Sequence, residues 1–153
     1  MHPVIWLTGG SGSGKTTVSE ILLKLIGGVG LDGNKVRKYM YPKLGFSSME
    51  RQKHNVKTAK MAAMLSLQMP VVVSVIAPLQ LIRQGANKAF DSFGMDNRLL
   101  WFYLKRKTEQ KEGHFYEIPV PSEKIITVDA DKNDAKACAE IIADHLRSGN
   151  VEG

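Results

Sequence analysis

The chain has 153 residues, 43% hydrophobic and 24% charged, which fits one folded domain with a real core and excludes a disordered chain. No apolar run approaches the ~20 residues of a membrane-spanning helix, and Met1-His2-Pro3 leads into a strand pattern without a basic leader, so a soluble, cytoplasmic protein without a membrane partner is expected. The net charge of +6 suits anionic ligands, but its positives are scattered (Lys35, Arg37 and Lys38; Lys53 to Lys60; Lys105-Arg106-Lys107) without interleaved aromatics, so no nucleic-acid partner is expected, and the one cysteine, Cys138, excludes an internal disulfide.

The apolar run Val4-Ile5-Trp6-Leu7 has strand length and runs into Gly9, Gly10, Ser11, Gly12, Ser13, Gly14, Lys15, Thr16 and Thr17. Beyond it Val18, Ile21, Leu22, Leu25 and Ile26 recur at helical spacing. Strand, glycine-rich turn and helix with G-x-x-x-x-G-K-T spacing are the context of a phosphate-binding loop. Glycines let successive backbone N–H groups face phosphate oxygens, and the helix start adds free donors and a positive dipole end. Lys15 is expected to reach the β and γ phosphates of ATP, and the Thr16 hydroxyl to ligate Mg²⁺.

Gly27-Gly28 suits a left-handed helix end, and Val29-Gly30-Leu31 reads as a short second strand ending at Asp32. Gly33 to Ser48 reads as a short helix plus loop. The periodic set Val56, Ala59, Ala63 and Leu67 predicts a helix from about Met49 to Leu67, which Pro70 ends. Val71 to Ile76 is a continuous β-branched run, the signature of a strand buried on both faces. A helix over Leu79 to Phe90, a strand over Leu99 to Leu104, a polar stretch from Lys105 to Glu123, a strand over Ile125 to Val128 and a helix from about Asp134 to Arg147 complete the chain. Strands alternating with helices predict an α/β fold with a parallel sheet covered on both faces, in one domain over 1–153.

Phosphate loops serve switches, motors and kinases. A switch places an Asp at the end of its third strand, whereas here that strand runs into Ser74-Val75-Ile76-Ala77-Pro78 without a carboxylate. There is no Asn-Lys-x-Asp guanine-reading motif either, since Asn34-Lys35-Val36-Arg37 has the wrong last residue. The carboxylate at a strand end facing the loop is Asp32. Ligands of such sheets gather at the carboxyl ends of the strands, so Asp32 can orient or deprotonate an acceptor hydroxyl and contribute to the Mg²⁺ site. An Asx turn beside Gly33 is the structural alternative.

Trp6-Leu7-Thr8-Gly9 with the phosphate loop, Leu31-Asp32-Gly33 with Val36-Arg37, Leu44-Gly45-Phe46-Ser47 with Arg51 and Asn55-Val56, and Val72 to Pro78 with Arg83 follow one another in the order found in adenylylsulfate kinase. The chain resembles that family from about Val4 to Asn87. The resemblance implies a three-layer P-loop kinase fold with a parallel sheet of about five strands in the order 2-3-1-4-5. It also implies transfer of the ATP γ-phosphate to the 3′-hydroxyl of adenylylsulfate with Mg²⁺, and a homodimer would be in keeping with it. On that likeness Lys15 and Asp32 are the catalytic pair. Arg37, Arg51 and Asn55 grip the anionic acceptor, Phe46 stacks on its adenine, and Ile76 and Ala77 line its site.

The departures are specific. Asn34 stands where the family has a second Asp, Ala77 where it has Ser, and Glu50 where it has the Asp before Arg51. Arg51 and Asn55 are four apart where the family spaces its Arg and Asn by three. The lid, approximately 105–123, is much shorter than the family's, and only Tyr116-Glu117-Ile118-Pro119 with Pro121-Ser122-Glu123 is similar to its ending. Arg106 is the lid's candidate for bridging phosphates, against an exposed helix start, and Phe115 is the candidate for the family's second aromatic. Two other readings stay open: a kinase of this type acting on another nucleotide-linked or small hydroxylated acceptor, and a nucleotide-binding regulatory module without turnover.

Overall fold

The computed structural model describes residues 2–10, 12–107 and 115–151. Five strands, β1 (Val4–Thr8), β2 (Val29–Asp32), β3 (Val71–Ser74), β4 (Leu99–Lys105) and β5 (Ile126–Asp129), form one parallel sheet in the order β2-β3-β1-β4-β5. The expected order is the observed one. The helices are α1 (Lys15–Ile26), α2 (Gly33–Met40), α3 (Ser48–Leu65), α4 (Gln80–Ser92) and α5 (Ala135–Val151). Alternate residues of β1 divide between two cores. Val4 and Trp6 pack under α3 and α4, while Ile5 and Leu7 pack under α1 and α5. Burial on both faces is why these strands read as unbroken apolar runs.

Trp6 of β1 and Trp101 of β4 are register partners whose rings stack with centroids 4.7 Å apart. Each buried indole N–H finds an oxygen, as burial requires: Trp6 Nε1 donates to the Val75 carbonyl at 3.1 Å and Trp101 Nε1 to Asn87 Oδ1 at 2.8 Å. Gly28 is needed for two reasons. Its φ is +102°, and a Cβ there would run into the Pro70 carbonyl, which accepts the Val29 N–H at 3.0 Å.

Several expected boundaries shift by one or more residues. β3 stops at Ser74 rather than Ile76, because the next two carbonyls turn towards β1 side chains: Val75 accepts from Trp6, and Ile76 accepts from Thr8 Oγ1 at 2.6 Å. β5 begins one residue later than expected, at Ile126. α3 ends at Leu65, so Leu67 lies outside it and is exposed. The buried face of α3 carries His54, Asn55, Thr58, Ala59, Ala62 and Ala63. Its first half buries polar groups because it borders a cleft rather than the hydrophobic core.

Candidate active site

Gly12 and Gly14 hold φ of +80° and +91°, a backbone region that side chains disfavour. Among the described residues no side chain caps α1, and no acid lies in its first turn, so its leading N–H groups and dipole are available to an anion. Lys15 Nζ donates to the Gly9 and Gly10 carbonyls, each at 2.9 Å, and to Ser13 Oγ at 3.2 Å. Burial pushes this lysine down to about 8, with the Asp32 charge acting the other way. A buried ammonium bonded only to neutral oxygens gains from an anion brought beside it. Gly12, Gly14, Lys15, Thr16 and Thr17 line the cleft. Ser11 lies outside the described residues.

Asp32 closes β2 and caps α2. Its Oδ2 accepts the Lys35 N–H at 3.2 Å, so the turn-forming role is real. Its Oδ1 accepts from Thr16 Oγ1, also at 3.2 Å, so the carboxylate faces the phosphate loop as well. Two hard oxygens converge there. Among the described residues no cluster of three or more His, Cys, Asp or Glu could hold a metal ion.

Beyond Asp32 the cleft, about 530 Å³ in all, runs between α2, α3 and the Ser74–Pro78 segment. Arg37 Nη1 donates to the Leu44 and Gly45 carbonyls at 3.0 and 2.9 Å, and Arg51 Nε donates to the Phe46 carbonyl at 3.0 Å. Their guanidinium carbons lie 4.4 and 5.6 Å from the centroid of the Phe46 ring, which is itself 69% exposed. Glu50 orders this loop: it accepts from the Gly45 N–H and from Ser47 Oγ, which in turn caps α3 through the Glu50 N–H. Asn55 Nδ2 donates to the Arg51 carbonyl at 2.8 Å, while Asn55 Oδ1 is buried without a partner among the described residues. Ile76 and Ala77 form part of the wall, and Ala77 sits at φ +47°.

Sequence reasoning missed His54, which lines the same cleft. Its Nδ1 lies 2.7 Å from the Tyr41 hydroxyl. Burial first, then Arg37 and Arg51, push its pKa down to about 4. The signal was present in the spacing, since His54 stands three residues after Arg51, where the family's Asn belongs. Also missed was a strap from the end of the lid. Tyr116 Oη lies 2.9 Å from Thr8 Oγ1, the Glu117 N–H donates to the Pro78 carbonyl at 2.7 Å, and Glu123 pairs with Arg83. Burial pushes the Tyr116 hydroxyl up to about 12.

Arg106 follows β4 directly and is not in a helix. A Cβ on Gly14 would come 3.6 Å from Arg106 Nη1, so the guanidinium lies against the phosphate loop, and its Nη2 donates to the Ala130 carbonyl at 3.4 Å. Phe115 is exposed and is not part of the cleft lining. The lid residues 108–114 lie outside the described residues.

A 2-3-1-4-5 parallel sheet whose first strand feeds a Gly-Lys-Thr loop, with a second-strand carboxylate opposite, defines a P-loop kinase, a phosphotransferase acting on a hydroxyl acceptor. The chain belongs to the adenylylsulphate kinase family, whose profile matches residues 1–118. It is 35% identical over 158 residues to the probable adenylyl-sulfate kinase of Archaeoglobus fulgidus, across 88% of this chain and 99% of that relative. It is 42% identical over 95 residues to the probable adenylyl-sulfate kinase of Pyrococcus abyssi, across 58% of this chain and 55% of that one. In fold it is similar to the APS kinase of Mycobacterium tuberculosis in complex with AMPPNP and APS, with a TM-score of 0.81 at 23% identity over 95% of this chain and 98% of that one. No helix among the described residues is long and apolar enough to cross a membrane.

Proposed function

We propose that the chain, working as one domain, transfers the γ-phosphoryl group of ATP to the 3′-hydroxyl of adenylylsulfate. The observation that carries this reading is the Thr16–Asp32 contact at 3.2 Å, which sets an acceptor-side carboxylate against the phosphate loop at the junction of the two halves of the cleft. On one side, the loop from Gly9 to Thr17 and the start of α1 cradle the triphosphate, and Lys15 exchanges neutral carbonyl partners for phosphate oxygens. Arg106, lying against Gly14, adds charge on that side.

On the other side, Arg37 and Arg51 hold the acceptor's anionic group and Phe46 offers its exposed ring to the base. Asn55 lines the same half of the cleft, against a wall formed by Ile76 and Ala77. Thr16 and Asp32 would hold Mg²⁺ on the protein side, and the ion when bound would supply charge neutralisation. Asp32 receives the 3′-hydroxyl proton as the acceptor oxygen bonds to the γ phosphorus and the bond to ADP breaks. Positioning and charge stabilisation are the main work of such a site, since phosphoryl transfer needs little covalent chemistry from the protein.

Incubation with ATP, Mg²⁺ and adenylylsulfate, followed by mass spectrometry, is expected to show one added phosphoryl group on the acceptor. Phosphorylation of a different alcohol with none on adenylylsulfate would reassign the acceptor. ATP binding without transfer to any acceptor would make the chain a regulatory module.

A further inference from the structure

His54 combines three features that structural packing does not require together. It is 3% exposed, yet it lines the cleft beside Asp32 and Gly33. Its Nε2 makes no hydrogen bond among the described residues. Nε2 lies next to Gly33, where a Cβ would come 3.5 Å from it, an ordinary van der Waals distance.

Its other nitrogen determines which hydrogen-bonding role Nε2 plays. Nδ1 lies 2.7 Å from the Tyr41 hydroxyl, whereas that hydroxyl is 3.5 Å from the His54 carbonyl, which Thr58 Oγ1 already bonds at 2.8 Å. A tyrosine hydroxyl has one proton, and the shorter contact is to Nδ1. With that proton given to Nδ1, the ring's own proton sits on Nε2. The ring stays neutral because it is buried with Arg37 and Arg51 nearby. The cleft thus presents a neutral donor at His54 and two cations, with Asn55 also in its lining.

We infer that His54 is a specificity-determining residue that donates its Nε2–H to an oxygen of the anionic acceptor, with Tyr41 the positioning residue that holds the tautomer. Donors surrounding one end of the cleft suit an oxyanion, and a buried donor gains most from a partner that bare water does not match. The inference rests on the acceptor half of the cleft proposed above. It does not depend on which anionic alcohol occupies that half.

The test is long-range ¹H–¹⁵N NMR of the full chain, whose four histidines are separated by the signal lost in His54→Gln. The expected spectrum has the proton of His54 on Nε2, and Tyr41→Phe mixes the two tautomers. With ADP already bound, adenylylsulfate is expected to shift the Nε2 resonance, which ADP alone leaves in place. In turnover, His54→Leu is expected to raise the acceptor KM about tenfold or more with the ATP KM within about twofold, and His54→Gln to recover most of the loss. An Nε2 resonance unmoved at saturating acceptor, or an unchanged acceptor KM in His54→Leu, overturns the inference. If His54→Leu does not fold, the titration of the unaltered chain decides alone. If adenylylsulfate fails but another anionic alcohol is phosphorylated, the proposed acceptor falls, and the same titration with that alcohol judges His54.

Discussion

Arg83 on α4 and Glu123 at the end of the lid stretch form an ion pair at 2.8 Å whose side chains are only 1% and 7% exposed. The pair joins residues 40 apart in sequence, and Arg83 also donates Nη1 to the Ala77 carbonyl at 2.9 Å. One guanidinium thus pins the wall of the cleft and the returning lid together. A buried charge stripped of its partner is costly. Arg83→Met and Glu123→Leu should each destabilise the fold by about 3 kcal/mol or more, and the double variant by clearly less than their sum. Urea unfolding of the four proteins measures this, and strictly additive losses would mean that the pair does not act as a unit.

The lowered pKa of Lys15 gives nucleotide binding a pH signature. Phosphate beside the ammonium raises a pKa that burial has brought to about 8 in the free protein. Below that value the lysine is charged in both states and affinity is at its maximum. Above it, binding requires proton uptake, and ATP affinity should fall by up to about tenfold per pH unit. Calorimetry in buffers of different ionisation enthalpy detects the proton. Lys15→Ala should bind weakly with a flat profile over this window.

Folding without nucleotide carries the complementary signature. Between about pH 8 and the ordinary lysine value of 10.5, the unfolded chain holds a proton that the native Lys15 has lost. Stability should therefore rise with pH through that window in the parent chain relative to Lys15→Met. Parallel denaturation curves at pH 7.5 and 9.5 would show this contribution to be absent.

Asp32 caps α2, and in the proposed reaction it is also the acceptor-side base. Asparagine caps α2 nearly as well as aspartate, so Asp32→Asn should keep its melting temperature and most of its ATP affinity. Transfer should drop by about a hundredfold or more, within the range that general bases supply. Asp32→Ala should in addition lose about 1 kcal/mol of stability. Equal loss of ATP binding and turnover in Asp32→Asn would make this residue chiefly a metal ligand.

Arg106 lies beside Gly14 rather than over the acceptor half of the cleft. Arg106→Ala should therefore raise the ATP KM by about tenfold and leave the acceptor KM nearly unchanged. The reverse pattern would place this arginine with the acceptor.

Much of the architecture is legible in the amino-acid sequence, because its causes are local. Apolar runs buried on both faces mark β1, β3 and β4, and the glycines of the phosphate loop and of Gly27-Gly28 stand where positive φ is required. Asp32 is legible because it follows a strand and precedes a helix. The strand order follows from likeness to the family and agrees with the observed sheet.

The bare sequence determined that this chain builds a phosphate cradle with a carboxylate following its second strand. Local chain geometry imposes both, through backbone angles and the alternation of a buried strand. Only the tertiary structure decided that His54 pairs with Tyr41 at the cleft, that Arg106 rests on Gly14, and that Tyr116 and Glu123 tie the lid's end to Thr8 and Arg83. Those partners lie far apart in the chain, and each pairing exists because a polar group removed from water must find its complement across the folded interior, which no spacing along the sequence encodes.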